Sequence, residues 1–214
     1  MQPNFLIEDQ YSKYSIIGID EAGRGPLAGP VVACCVLLDK KIIQEEINDS
    51  KKLSKIKRKY FFNYLIENSK YGLGIIDEKI IDEINILQAT KLAMKKSYEN
   101  FCEKYNFFPQ IILVDGNFTP FEKNDKTLEI KSIVKGDQKC FSIAMASIIA
   151  KETRDNIMAN IHNKYPNYRF DKNAGYPTKL HIDQIKKYGI CQFPRKTFEP
   201  IKSMLYENNQ SKKN

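Results

Sequence analysis

Two short apolar runs that each lead into an acid restrict this chain more than any other feature. Ser15 to Asp20 reads SIIGID, and Gln110 to Val114 reads QIILV with Asp115-Gly116-Asn117 directly behind it. Both runs are too short for a stable helix and rich in Ile, so each is expected as a buried strand. A carboxylate at the end of such a strand adds nothing to packing, and a buried one without a partner is costly. Three further runs fit the same class: Val31 to Leu38 (VVACCVLL), Tyr71 to Ile76 (YGLGII) and Leu128 to Val134. Helical spacing predicts helices over Asp49 to Ser69, Asp77 to Tyr105 and Lys139 to Tyr165.

Glu21 to Pro30 (EAGRGPLAGP) is Gly/Pro punctuation and is expected to be irregular. Beyond Tyr165 come a Gly175-Tyr176-Pro177 turn, a short helix from Thr178 and a last helix near Phe198 to Tyr206. The polar residues 208–214 are expected to fray. Three strands in a row, then helix, strand, strand and helix give a mixed α/β sheet with an antiparallel meander and helical crossovers. The first and fourth strands can then lie parallel and adjacent, with their carboxyl ends at one crevice.

With 214 residues, 42% of them hydrophobic, the chain can fill one packed core, and no repeat or linker divides it. The expectation is a single domain over 1–214, with an α/β core at about 15–165 and a C-terminal helical portion at about 166–207. No apolar run approaches the roughly 18 residues of a membrane span. Residues 1–14 lack the basic start and apolar core of a secretory signal. Five cysteines in no C-x-x-C pair, with only His162 and His181 beside them, suit buried free thiols rather than disulfides or a zinc cage. The expected setting is the cytoplasm. Lys and Arg exceed Asp and Glu by 34 to 26, a net +8 that leans toward a polyanionic partner.

Against that basic background the acids stand out. Asp20-Glu21, Asp115 and Asp137 each close an apolar segment beside glycine. Singly, each is an ordinary turn or cap residue. Together on one sheet edge they form a metal site. If the first and fourth strands are neighbours, Asp20 and Asp115 lie about 5 Å apart. That spacing suits a shared cation, and all-oxygen donors select Mg²⁺ or Mn²⁺. Gly23-Arg24-Gly25 follows at once, where bare backbone and an arginine can meet a phosphate-bearing substrate.

These residues resemble a known family. Asp20-Glu21-Ala22-Gly23-Arg24-Gly25-Pro26-Leu27-Ala28-Gly29-Pro30 is similar to the signature of the type 2 ribonucleases H, in particular bacterial ribonuclease HII. The likeness continues through Asp49-Ser50-Lys51-Lys52-Leu53, Val114-Asp115-Gly116-Asn117 and Lys135-Gly136-Asp137. It ends with Ala146 to Lys151, Arg154-Asp155 and Gly175-Tyr176-Pro177-Thr178 with His181, spanning about Ile16 to Pro200.

The resemblance implies a ribonuclease H-like fold with a five-stranded mixed sheet of order 3-2-1-4-5. It implies a two-metal-ion endonuclease that cuts RNA in RNA–DNA hybrids, including single ribonucleotides in duplex DNA. The ends it leaves would be 5′-phosphate and 3′-hydroxyl, and its place ribonucleotide excision repair. Asp20, Glu21, Asp115 and Asp137 would be the catalytic metal ligands for Mn²⁺ or Mg²⁺. The Gly23-Arg24-Gly25 backbone would read the ribose 2′-hydroxyl, and Tyr176 would pack on the next sugar. Lys51 and Lys52 are expected on phosphates, with Lys55, Lys57, Arg58 and Lys59 in solvent. The partner would be the nucleic acid, and the chain a monomer away from membranes.

Other residues fit blander roles. Asp155 lies about 24 Å along its helix from Lys139, beyond metal reach, and suits an ion pair with Arg154 or Lys151. His162 is expected in solvent, and His181 as support for the Tyr176 turn. Ribonuclease HIII is the runner-up, disfavoured by the short stretch before the first strand and by Arg24. A resolvase of the same superfold would lack the Gly-Tyr-Pro-Thr and Asp-Ser-Lys-Lys-Leu segments. A catalytically dead duplex binder would have no need to keep four acids.

Overall fold

The computed structural model describes residues 2–121 and 129–211, the last four for their backbone alone. Five strands, β1 (Ile16–Ala22), β2 (Val31–Leu37), β3 (Tyr71–Ile76), β4 (Ile111–Asp115) and β5 (Glu129–Ile133), form one sheet of order β3-β2-β1-β4-β5. β1 pairs antiparallel with β2, and β2 with β3; β1 and β4 are parallel, as are β4 and β5. The order is the one the resemblance implies.

Helices cover both faces. α2 (Glu78–Tyr105) lies on one face, where Ala89, Ala93, Met94 and Phe101 meet Ile17, Ile19, Ala33 and Cys35. α1 (Lys55–Asn68) and α3 (Phe141–Lys164) cover the other, where Phe61, Leu65, Ala144 and Ile148 meet Cys34 and Val36. Neighbouring strand residues point to opposite faces, which is why Cys34 and Cys35 belong to different layers. Each fully buried Ile or Leu in these layers contributes roughly 1.5–3 kcal/mol. Two glycines set the closest approaches. A Cβ on Gly18 would lie 2.3 Å from the Ser142 carbonyl carbon, and one on Gly74 would lie 1.9 Å from the Ala93 oxygen. The start of α3 and the middle of α2 therefore rest directly on strand backbone.

Several boundaries differ from the sequence reading. β1 runs on through Glu21 and Ala22, because β2 offers them a ladder opposite Ala33 and Val32. α1 starts at Lys55, capped by Ser54, and 49–54 is a turn docked on α3 by a Ser50–Ser147 hydroxyl contact of 2.8 Å. α2 is broken at Asn85 (φ 66°), whose Oδ1 accepts the Leu87 and Gln88 N–H groups and so caps the second segment. Leu128, the expected start of the fifth strand, is outside the described residues.

Beyond α3, the short α4 (Phe170–Asn173), α5 (Lys179–Tyr188) and α6 (Ile201–Ser211) gather around Leu27, Ala28, Met158, Tyr168, Phe170 and Ile185. The backbone at 208–211 continues α6, and 212–214 lie outside the described residues. This C-terminal portion is stitched to the loop after β1: Leu27 N–H donates to Gly175 O (2.7 Å) and Gly29 N–H to Phe193 O (3.1 Å). Among the described residues no helix is long and apolar enough to cross a membrane.

Candidate active site

The last register pair of β1 and β4 is Ile19 with Val114, and the next residue on each strand is an acid, Asp20 and Asp115. β5 then leads into the turn Gly136–Gln138, which carries Asp137. Three strand ends thus deliver carboxylates to one edge, with Glu21 following Asp20. Asp20 and Asp137 are each only 4% exposed.

The carboxylates feel one another. Burial pushes Asp20 well above the ordinary carboxylate value, and Glu21, Asp115 and Asp137 push it further. Burial also raises Glu21, against the pull of Arg24, whose guanidinium lies 3.5 Å from Glu21 Oε1. Asp137 is pushed up to about 6 by burial, then by Asp115 and Asp49, with Lys51 opposing. Burial would lower Lys51, but Asp20 and Asp137 outweigh it and raise the amine; its Nζ lies 3.8 Å from Asp137 Oδ2.

Backbone donors hold two of the acids. Glu21 N–H donates to Asp20 Oδ1 (2.7 Å), and Gly136 N–H to Asp115 Oδ1 (2.6 Å). Glu21 Oε2 is buried without a hydrogen-bond partner. No group of three or more His, Cys, Asp or Glu side chains among the described residues is gathered closely enough to hold a metal ion as the side chains stand. An orphaned buried carboxylate oxygen beside three more acids, with no thiol or imidazole among them, fits hard divalent cations such as Mg²⁺ or Mn²⁺. A cavity of about 710 Å³ elsewhere is lined by Ile84, Gln88, Tyr98 and Phe121 and takes in none of these acids.

Gly23, Arg24 and Gly25 follow β1 at the rim of the cluster. Gly23 has φ +100°, a conformation that favours glycine. The Arg24 guanidinium sits 5.5 Å from the Phe118 ring centre. Tyr176 is 38% exposed, and its Cε1 lies 3.7 Å from where a Cβ on Gly25 would be. His181 is buried and its Nδ1 is 3.0 Å from the Tyr176 carbonyl, the supporting position expected of it. Lys51 and Lys52 are exposed on the turn before α1.

Asp155 pairs with Lys151, one of its two expected partners, and with Arg58, while Arg154 is fully buried elsewhere. Two expectations need correction. Arg58 is not in solvent: it is half-buried between Glu152 and Asp155, because α1 packs on α3 there. His162 is also half-buried, with Nε2 3.5 Å from Asp171.

Sequence reasoning missed Asp49, Arg154 and Arg195. Asp49 is buried, accepts the Lys51 N–H (2.9 Å) and a Gln138 amide proton (3.3 Å), and so ties the Lys51 turn to the Asp137 turn. Its place at the head of the Asp-Ser-Lys-Lys-Leu block was the available signal.

A family model described as Ribonuclease HII matches residues 17–201. A protein named Ribonuclease HII from Orientia tsutsugamushi (strain Ikeda) is 46% identical over 199 residues, covering 93% of each chain. The crystal structure of the ribonuclease H2 from Pyrococcus horikoshii OT3 aligns with a TM-score of 0.67 at 27% identity, over 91% of this chain and 99% of that one. That of the Bst ribonuclease HIII in complex with Mn²⁺ gives 0.76 at 18% identity, over 98% of this chain and 75% of the other.

Proposed function

The chain belongs to the ribonuclease HII family, and from that premise we propose that Asp20, Glu21, Asp115 and Asp137 are the carboxylates with which it hydrolyses the RNA strand of RNA–DNA hybrids. The observation that carries this reading is the delivery of four acids to one sheet edge beside the Gly23-Arg24-Gly25 loop. The runner-up, ribonuclease HIII, shares the fold, but the 46% identity lies with ribonuclease HII.

The four acids would hold divalent cations; Mn²⁺ is supported by its presence in a neighbour of the same fold, and Mg²⁺ by the same oxygen-donor chemistry. Bound there, such ions supply Lewis-acid polarisation of the phosphodiester and an activated water at neutral pH. The chain's own residues do the rest. Lys51 and Lys52 at the rim hold the strand by its phosphates and add no sequence preference. The Arg24 and Gly25 backbone is the surface that meets the 2′-hydroxyl, the group that separates RNA from DNA. The Tyr176 ring stands beside Gly25 to take the following sugar. No side chain serves as nucleophile in this reading: burial pushes the thiols up, Cys35 and Cys140 to about 12. The products are then 5′-phosphate and 3′-hydroxyl ends, and the helices of 166–207 act with the α/β core as one monomeric catalytic unit.

The test is cleavage of a DNA duplex carrying one ribonucleotide, and of a long RNA–DNA hybrid, with Mn²⁺, with Mg²⁺ and with EDTA. Cutting at the ribonucleotide that EDTA abolishes supports the reading. Activity that survives EDTA, or that Asp115→Asn leaves intact, refutes it.

A further inference from the structure

Arg154 and Arg195 are both 0% exposed and rank first among the large buried side chains. A guanidinium out of water normally meets a carboxylate, because the desolvation penalty is large. Here each one is satisfied by backbone carbonyls alone. Arg195 donates from Nη2 to Gly23 O (2.6 Å), from Nη1 to Arg24 O (3.0 Å), and from Nε and Nη2 to Gly29 O (3.0 and 2.9 Å). Arg154 donates from Nε to Pro30 O (2.9 Å), Nη2 to Ala28 O (3.1 Å) and Nη1 to Ala174 O (3.0 Å). Burial and the neighbouring Arg154 charge push Arg195 down to about 9. Two like charges are thus kept together inside the protein, and every bond but the one to Ala174 O falls on residues 23–30.

The geometry points to Arg195, backed by Arg154, as the positioning residue that sets which way the Gly23-Arg24-Gly25 peptides face and so lets the enzyme select ribose. In a planar trans peptide the C=O and the following N–H point in opposite directions. Drawing the Gly23 and Arg24 carbonyls onto Arg195 therefore turns the Arg24 and Gly25 N–H groups away from the interior. Neither N–H has a partner among the described residues, and both residues are exposed, with Tyr176 against Gly25. The result is two adjacent donors held outward by contacts on their far side. Gly23 belongs to the same device: a Cβ there would lie 2.2 Å from Arg154 Nε, so the loop can sit on the guanidinium only as glycine. Loops with glycine at such positions can flip their peptides at little cost, and charge-assisted hydrogen bonds to both carbonyls resist that flip.

This inference rests on the proposed reading that the loop meets the 2′-hydroxyl, and the test separates the two. Equilibrium binding in EDTA is measured for two duplexes that differ by one 2′-hydroxyl, for the wild type and Arg195→Lys. The lysine keeps the charge but lacks the fork that reaches several carbonyls at once. Wild type should prefer the ribonucleotide duplex, and Arg195→Lys should lose about tenfold of that preference while its affinity for the all-DNA duplex changes less than twofold. A wild type without preference refutes the loop reading itself. A preference that Arg195→Lys retains in full refutes only the positioning role. Should the variant fail to fold, the wild type still decides the matter by proton exchange. An Arg195 Nε–H that exchanges as fast as that of an exposed arginine, or Arg24 and Gly25 amides unmoved by the ribonucleotide duplex, overturns the proposal.

Discussion

In EDTA, Asp137→Asn should make the protein more stable at neutral pH and leave it nearly unchanged at pH 4. Asp137 rises from an ordinary 3.8 to about 6 because it is buried beside Asp115 and Asp49. Below about pH 4 both the folded and unfolded chains hold the proton, and the site contributes its full stability. As pH rises from about 4 to about 6, the unfolded chain releases its proton first, and stability falls through that window. The rise corresponds to about 3 kcal/mol lost by pH 7. An asparagine does not titrate and escapes that loss. It gives up the 3.8 Å Lys51 pair, but the opposing pull of Lys51 is already contained in the value of about 6 and is not subtracted again. Screening by water at this rim, where Lys51 is exposed, discounts the figure to a net gain of about 2 kcal/mol at pH 7, or about 4–8 °C in Tm for a chain of this length.

The assay is thermal denaturation of both proteins from pH 4 to 7.5 in EDTA, repeated with excess Mn²⁺. The two metal-free curves should diverge as pH rises. Added Mn²⁺ should then reverse the order, because a ligand of the folded state stabilises the protein that binds it better. Parallel curves in EDTA would refute the repulsion assigned to this cluster. Divergence without reversal by either Mn²⁺ or Mg²⁺ would leave the carboxylates repelling one another for no metal.

The sheet and its acidic edge were legible because their signals are local. Strands rich in Ile and Val show directly, and Asp20, Asp115 and Asp137 stand out because carboxylates are out of place at the ends of such runs. What failed depended on partners far along the chain. Glu21 and Ala22 are strand residues because Ala33 and Val32 pair with them, a tertiary override of the glycines behind. Asn85 breaks a helix whose apolar spacing continues on both sides of the break. Arg195 gives no sequence signal at all, since its acceptors lie more than 160 positions away and are carbonyls that every residue carries. Sequence leaves Arg154 and Lys151 as equal candidates to pair with Asp155; the helix gives Asp155 to Lys151 and turns Arg154 inward to the loop. Sequence shows the acids that close the strands; what aims the loop beside them is written in contacts between distant segments.

Glu8→Ala should lower stability by about 1–2 kcal/mol, read by urea denaturation, because its carboxylate accepts the Ser142 and Phe141 N–H groups at the start of α3 (2.8 and 3.3 Å). Asp155→Asn should keep most cleavage activity, since its partners are Lys151 and Arg58 and not the acids of the cluster; a loss as large as that of Asp115→Asn would place it in the site. Lys52→Ala should weaken binding of a hybrid and of a ribonucleotide-containing duplex by the same factor and flatten the salt dependence. Tyr176→Ala should separate those two substrates instead. The ring lies beside Gly25 at the rim of the loop and offers a flat apolar surface, which suits a deoxyribose and fits poorly against a sugar bearing a 2′-hydroxyl. At a single embedded ribonucleotide the next sugar is a deoxyribose and the contact is made; within a continuous RNA strand it is already compromised. The rate at the single ribonucleotide should therefore fall several-fold further than the rate on the long hybrid. With thermal denaturation unchanged, equal losses on both substrates would reduce the tyrosine to a structural neighbour of the loop.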